Sequence, residues 1–278
     1  MATSLIPEPP FPSRAGLMSR ETSRGVTSLS SKKTKVRGRT PDLDLLVFGA
    51  HPDDAELVAG GTIAKMARRG WRVGIVDATA GETGTRGTAD RRARESTRAA
   101  RILGVAVREN LHLPDGHLAS NESVRRAVVE SIRRLKPRVI VAPHGESRHP
   151  DHGVLATVVR DATFLAGLRR WKAVGEPWKP EVLIQAVAFL DVRPSFLIDI
   201  SAEFETKVRS IRAHRSQVEG ARQLGDVPRT GRPLIESIRA IHAYYGSMID
   251  RLYAEPFVTA GGVELDDLMD VVRFNRSK

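Results

Sequence analysis

Apolar runs alternate with amphipathic segments along most of the chain, beginning at residue 43. Residues 43–49 form a run that is apolar except for Asp44 and ends in glycine, which is typical of a strand buried on both faces. The same criteria predict strands over 71–79 and 138–143, and helices over 56–69, 90–103, 124–135 and 152–168. This alternation predicts a single α/β domain, with helices on both faces of a mostly parallel, Rossmann-like sheet.

The last third of the chain has a looser pattern. Strands are predicted over 182–190 and 196–200, paired as a hairpin, and helices over 202–216 and 233–253. Loops are predicted over 80–89 and 217–232, because both segments are rich in glycine. No domain boundary is predicted after residue 40, so residues 41–278 are expected to form one domain.

Charge is unevenly distributed along the 278 residues. The net charge is +11, and residues 1–40 contain eight basic and two acidic residues, leaving +6 in this segment. We expect this Ser-, Pro- and Arg-rich segment to be a disordered basic tail. A solvated extension or an upstream start is the simpler interpretation of the tail. A nucleic-acid or membrane-surface arm and an organelle transit peptide are the alternatives.

Composition also limits the class of protein. The chain has no cysteine, so any metal must be held by His, Asp or Glu. The folded part has nearly balanced charge and the chain only 5% aromatic residues, which argues against nucleic-acid binding. No apolar run is long enough to span a bilayer. We therefore expect a cytoplasmic protein with a small-molecule substrate and no membrane or nucleic-acid partner.

Two short clusters of histidine and aspartate carry the candidate chemistry. They are His51-Pro52-Asp53-Asp54 and His149-Pro150-Asp151-His152. Each follows a predicted buried strand, and sites in open parallel sheets form at the carboxyl ends of strands. Either cluster alone could be a turn with an aspartate N-cap. Two clusters in equivalent positions favour one joint site.

The residue types suit a catalytic zinc ion. His51, Asp54 and His152 supply two imidazoles and one carboxylate, which leaves a position open for water. Asp53 is then the natural general base, and His149 the group that donates to an oxyanion or a leaving group. Asp151 could orient one of the imidazoles.

Other interpretations of the histidines remain open. The same ligand set occurs in non-haem iron oxygenases, and Fe²⁺ or another divalent ion is the alternative to zinc. The α/β pattern argues against iron oxidation. The remaining histidines are expected to be surface or core residues; they are His112, His117, His144, His214 and His242.

At these clusters the chain resembles the LmbE-like, or PIG-L, family of zinc N-deacetylases. The matching residues run from Ala50 to Glu56, continue to Gly60-Gly61-Thr62, and reappear at Arg148–His152. The resemblance implies an LmbE-type fold over roughly 43–258, with the ligand and base roles given above. It also implies a homo-oligomer, of which a hexamer is one form.

Within that family, the chain is most similar to the bacillithiol-pathway branch, which removes acetate from N-acetylglucosaminyl-malate. The segments 81–88, 110–116 and 164–168 carry this likeness. It implies that Arg92 meets the substrate carboxylate and Arg148 lines the pocket, because guanidinium groups bind carboxylates bidentately. Glu56 is included among the expected substrate-binding residues.

Three features leave the substrate open. Ala80 stands where relatives often have arginine, Leu234 is aliphatic where some have an aromatic residue, and the first 40 residues match nothing in the family. The alternative substrates are an inositol-linked GlcNAc and a thiol conjugate cleaved by an amidase. For Arg92, the alternative is a solvated position on a basic helix.

Overall fold

The structure is a computed structural model that describes residues 42–187, 192–219, 221 and 232–262. Strands in this part of the chain are β1 (Leu43–Gly49), β2 (Val73–Thr79), β3 (Val107–Leu113), β4 (Pro137–Pro143), β5 (Val182–Ala186), β6 (Phe196–Asp199) and β7 (Ala254–Thr259). Helices are α1 (Asp54–Arg68), α2 (Ala89–Leu103), α3 (Glu122–Leu135), α4 (Pro150–Ala166), α5 (Phe204–Ala213), α6 (Arg215–Val218) and α7 (Leu234–Ser247). The predicted tail, residues 1–40, lies outside the described residues.

The strands form one seven-stranded sheet in the order β3-β2-β1-β4-β5-β7-β6. The first five strands are parallel, and β7 runs antiparallel to both of its neighbours. The strand order reverses between β1 and β4, and open α/β sheets place their ligand crevice at such a switch point. The predicted α/β class and mostly parallel sheet are confirmed.

Apolar side chains of β1 alternate between the two faces of the sheet. Leu46 and Phe48 pack on one face, in a core shared with α3 and α4. Leu45 and Val47 pack on the other face, in a core shared with α1 and α2. Burial on both faces explains why the sequence of β1 is apolar without a break from Leu45 to Phe48 rather than alternating.

The predicted hairpin between β5 and β6 is wrong. These strands do not pair with each other, because β7 lies between them and pairs with both. The sequence pattern does not predict β7, because the residue types of Glu255 and Pro256 are uncommon inside a strand. Glu255 is accommodated because its carboxylate accepts hydrogen bonds from Gly61 N (2.8 Å), Thr62 N (2.7 Å) and Lys207 Nζ (2.6 Å).

Strand β3 is a second element that the sequence pattern does not predict. Its side chains include arginine, glutamate and histidine, so no apolar run marks it. Arg108 nevertheless turns inward and donates to both oxygens of Asp77, at 2.8 and 3.0 Å. It also donates to Glu56 in α1, and the Arg108 side chain is only 7% exposed. A buried ion cluster therefore docks β3 against β2 and α1.

Two further features complete the fold. The predicted helix over 202–216 is interrupted at His214, which separates α5 from α6.

Among the described residues, no helix combines the length and the apolar character that a membrane crossing requires.

The buried ion cluster predicts a large stability effect for Arg108→Met. Removal of the guanidinium leaves Asp77 and Glu56 buried without their cation, which should lower the free energy of unfolding by roughly 3–5 kcal/mol. Urea unfolding measures this change. Arg138→Met is the matched control, because its ion pair with Glu181 is exposed, and it should change stability by about 0–1 kcal/mol. Equal losses of unfolding free energy in the two variants would contradict the conclusion that Arg108 belongs to a buried ion cluster.

The same cluster predicts a pH dependence. Burial alone would raise the pKa of Glu56, but Arg108 and His214 hold it at about 2, below the ordinary 4.5. Because the pKa of Glu56 is lower in the folded state, the stabilisation that its ionised carboxylate provides is complete above pH 4.5. This stabilisation disappears as the pH falls toward 2. The gap in stability between wild type and Arg108→Met should therefore narrow in acid.

Candidate metal centre

The candidate centre lies where β1 and β4 end, side by side in the sheet. The two strands pair in parallel, with Leu45 opposite Val139 and Val47 opposite Val141. Their following loops lead into α1, which begins at Asp54, and α4, which begins at Pro150. The two clusters, about a hundred residues apart in sequence, therefore meet at one edge of the sheet.

Three side-chain atoms form a nearly equilateral triangle. Asp54 Oδ2 lies 3.5 Å from His51 Nδ1 and 3.1 Å from His152 Nε2, and the two imidazole nitrogens are 3.3 Å apart. Tetrahedral zinc, with bonds of about 2.0–2.1 Å, would separate its ligand atoms by about 3.3–3.4 Å. All three residues are buried. The donor types and spacings fit a zinc ion held by His51, Asp54 and His152.

His51 is supported from its other side by carboxylates. Its Nε2 atom lies 2.9 Å from Asp115 Oδ1 and 3.5 Å from Asp151 Oδ2. Burial would lower the pKa of His51, but Asp115 and Asp54 raise it to about 11. Carboxylates behind a ligand imidazole keep its outer nitrogen protonated, which leaves Nδ1 available for a metal.

Asp115 was not among the residues predicted for the site. It follows β3, and its carboxylate accepts hydrogen bonds from Thr83 N (2.8 Å) and Thr83 Oγ1 (2.6 Å). It thereby joins the glycine-rich loop after β2 to the candidate ligand His51. The turn at Leu113–Gly116 is visible in the sequence. Its position at the centre depends on strand β3, which the sequence pattern does not predict.

Asp53 has an unusual backbone. Its φ of 132° and ψ of −21° lie in a region that residues other than glycine rarely adopt, and such strain costs about 1–3 kcal/mol. The carboxylate is buried and lies 3.6 Å from Arg92 Nη2. Burial raises the pKa of Asp53 to about 6, although Arg92 opposes this shift. A carboxylate with a raised pKa is suited to accept a proton near neutral pH.

His149 lies beside the triangle. Its ring centroid is 4.6 Å from that of His51 and 5.2 Å from that of His152, and its side chain is half-buried. Burial and the two nearby imidazoles lower the pKa of His149. Nitrogen atoms of the three histidines lie within 4.8 Å of one another, so His149 is also an alternative ligand.

Asp151 and Arg148 occupy different environments. Asp151 is buried, and its carboxylate accepts from Gly116 N (2.7 Å) and Leu118 N (3.3 Å). Its 3.5 Å approach to His51 is compatible with an orienting role. Arg148 is exposed, next to His149.

Glu56 requires a correction. It was expected to bind substrate, but its side chain is fully buried and is held by Arg108 and by His214, whose Nε2 lies 3.3 Å from Glu56 Oε1. A carboxylate enclosed in this ion cluster cannot reach a substrate. Its place on α1, two residues after the candidate ligand Asp54, makes it a support for the helix that carries the candidate centre.

Arg92 also differs from expectation. It is 4% exposed, so the alternative of a solvated position on a basic helix is wrong. Its guanidinium donates to Pro52 O (2.9 Å) and Gly81 O (3.0 Å). Its expected contact with a substrate carboxylate stays a prediction.

Comparisons with known proteins identify the family to which the chain is similar. A family model described as PIG-L, GlcNAc-PI de-N-acetylase, matches residues 46–163. The diacetylchitobiose deacetylase of Thermococcus kodakarensis is 32% identical over 237 residues, which cover 80% of this chain and 84% of that protein. The 1D-myo-inositol 2-acetamido-2-deoxy-alpha-D-glucopyranoside deacetylase of Rhodococcus jostii is 34% identical over 170 residues, covering 49% and 58%.

A solved structure gives the same result for the fold. The conserved protein TT1542 from Thermus thermophilus superposes with a TM-score of 0.74 at 39% identity, covering 81% of this chain and 98% of that one.

The triangle predicts the metal content of variants. We expect about one zinc ion per wild-type chain, and loss of most of it in Asp54→Ala and His152→Ala, because each variant removes one of three protein ligands. Elemental analysis after dialysis measures the metal. His144→Ala, which removes a histidine that also follows β4 but lies outside the triangle, should retain it. Full zinc in both ligand variants would exclude this site.

Proposed function

The chain belongs to the PIG-L family, and from that premise we propose that it is a zinc-dependent N-deacetylase that removes acetate from a GlcNAc conjugate. The observation that carries the proposal is the triangle of His51, Asp54 and His152 atoms beside the buried carboxylate of Asp53. These are the parts that hydrolysis of an amide requires: metal ligands, a base and a proton donor. Deacetylases of GlcNAc-type sugars among the similar proteins support the substrate class.

The side chains divide the reaction between them. When bound, zinc would supply Lewis-acid chemistry, polarising the acetamide carbonyl and making a water molecule more acidic. Asp53 removes a proton from the attacking water. His149 donates to the oxygen that gains negative charge, and the proton held by Asp53 or His149 passes to the departing amine. Acetate and the free amine are the products.

The malate conjugate of GlcNAc remains our proposed substrate, and the inositol and thiol conjugates remain the alternatives. The likeness of segments 81–88 and 110–116 supports malate. Arg148, exposed beside His149, is the cation that we propose to line the pocket for its carboxylates. Cytoplasmic location and homo-oligomeric assembly stay predictions from the sequence.

A panel of conjugates tests the substrate class. Zinc-loaded protein should release acetate from GlcNAc-malate, inositol-linked GlcNAc and diacetylchitobiose, with the highest kcat/KM on the malate conjugate. The Asp54→Ala variant is the metal-depleted control. Absence of acetate from every conjugate would contradict the proposal, whereas a higher kcat/KM on the inositol conjugate would favour that alternative.

The base is tested by Asp53→Asn. The amide has nearly the shape of the carboxylate but cannot accept the proton, so kcat should fall about 10²–10⁴-fold while the zinc content is unchanged. Steady-state acetate release and metal analysis measure the two quantities. A kcat close to that of wild type would remove Asp53 as the base.

A further inference from the structure

We infer that the buried pair of Lys207 and Glu255 positions the first turn of α1, and with it the base and the carboxylate ligand proposed above. Both residues act through the backbone of α1, so they are positioning residues. This inference rests on the proposed function, because it concerns how the groups of that reaction are held. It starts from Gly60-Gly61-Thr62, a part of the family likeness to which the candidate centre gives no role.

Two adjacent glycines lie in the middle of α1, although glycine is unfavourable there because it loses more backbone freedom on folding than any other residue. The tertiary structure gives the reason for them. A Cβ at Gly60 would lie 3.1 Å from Lys207 Cγ, and one at Gly61 would lie 2.7 Å from Ile200 Cβ. The missing side chains therefore allow Lys207 and Ile200 to approach the backbone of α1 closely.

The ion pair binds backbone groups that a regular helix uses within itself. In a regular helix Gly61 N donates to Leu57 O, four residues earlier. Here Gly61 N donates to Glu255 Oε1 at 2.8 Å. Leu57 O accepts from Lys207 Nζ, also at 2.8 Å. Thr62 N donates to the second oxygen of Glu255 at 2.7 Å. The pair therefore holds α1 at the peptide groups that join its first two turns.

The pair is completely enclosed, and the hydrogen bonds of its ammonium group are fully used. Both side chains are 0% exposed, and Lys207 Nζ lies 2.6 Å from Glu255 Oε1. Besides this oxygen and Leu57 O, Nζ has a third acceptor in His242 Nε2, at 2.9 Å. His242 Nδ1 lies 2.8 Å from Ile238 O, which assigns the ring proton to Nδ1 and leaves Nε2 free to accept. Three protons with three acceptors hold the ammonium in one orientation.

A short path of hydrogen bonds leads from the pair to the base. Lys207 donates to Leu57 O, and Leu57 N donates to Asp53 O at 3.1 Å. Asp53 has a φ of 132°, so regular helix geometry does not extend to it and cannot alone fix its orientation. Holding Leu57 holds the carbonyl of Asp53 and the start of the next residue, Asp54. The pair thereby ties the turn with the base and the candidate ligand to α5 and β7.

The double variant Lys207→Met/Glu255→Gln tests the inference. It leaves no buried charge unpaired, so it should fold with a thermal midpoint close to that of wild type. Leu57 O loses its donor, and the first turn of α1 can shift. We expect the dissociation constant for zinc, measured by chelator competition, to rise about 10–100-fold, as for other supports behind metal ligands. In acetate release, kcat should fall on the order of 10²-fold while KM stays within about 3-fold of wild type.

Arg68→Met/Glu203→Gln is the matched control. This pair also joins α1 to α5, since Arg68 Nε donates to Glu203 Oε1 at 3.0 Å, but it does so at the last turn of α1. At 1.5 Å per residue, Arg68 lies about 21 Å along the helix from Asp54. The control should leave the zinc dissociation constant, kcat and KM unchanged, whatever its effect on the thermal midpoint.

Gly60→Ala is a second variant, and it keeps every charge. Its methyl group presses on Lys207 Cγ, whereas alanine itself favours a helix more than glycine does. We therefore expect zinc affinity and kcat to fall while the thermal midpoint stays the same or rises. A loss of stability alone cannot produce this combination.

Wild-type zinc affinity and kcat in the folded double variant would overturn the inference. Equal losses of zinc affinity in the double variant and the control would overturn it too, because the effect would then be one of general stability. If the double variant does not fold, Gly60→Ala decides, and wild-type constants there overturn the inference. Failure of the proposed function has a different signature: wild-type protein would release no acetate from any conjugate, whereas the differences in zinc affinity between variants would persist.

Discussion

The parallel pairing of β1 with β4 is the constraint on which the candidate centre depends. In parallel strands the carboxyl ends face the same edge, and here the register sets Val47 opposite Val141. Two short loops then bring Asp54 and His152 to 3.1 Å from each other. A shift of one residue in this register would turn the side chains of either strand to the opposite face, so the two cores that fix the register also fix the site.

Buried charge is the second constraint, because the centre concentrates four carboxylates, those of Asp53, Asp54, Asp115 and Asp151. Unpaired charges of this kind are unstable away from water. Imidazoles and a metal cation can neutralise the carboxylates of Asp54, Asp115 and Asp151. Arg92 faces the carboxylate of Asp53. Arg108 serves the scaffold: it links β3, which precedes Asp115, to α1, which begins at Asp54. The same pairs that stabilise the fold therefore position the reacting groups.

Much of the fold could be predicted because burial on both faces leaves a strong local signal. The apolar run of β1 and the amphipathic pattern of α2 are examples. Strands β3 and β7 have no such signal, because their inward charges, Arg108 and Glu255, are neutralised by partners at least 31 residues away in sequence. The order of β5, β7 and β6 could not be predicted for a related reason: strand pairing is decided by packing, and a short connection in sequence does not specify it.

By itself, the sequence determined the candidate chemistry: two clusters of histidine and aspartate, each after a buried strand, contain the atoms of the triangle and the carboxylate beside it. The tertiary structure alone decided how those atoms are supported. It places Asp115 beside His51 and buries Glu56 against Arg108. It also places Arg92 where its guanidinium donates to the backbone carbonyls of Pro52 and Gly81. The reason is physical. Residue type and local spacing determine which groups can bind a metal or a proton, whereas a partner distant in sequence determines whether a charged side chain is free for substrate or committed to the fold.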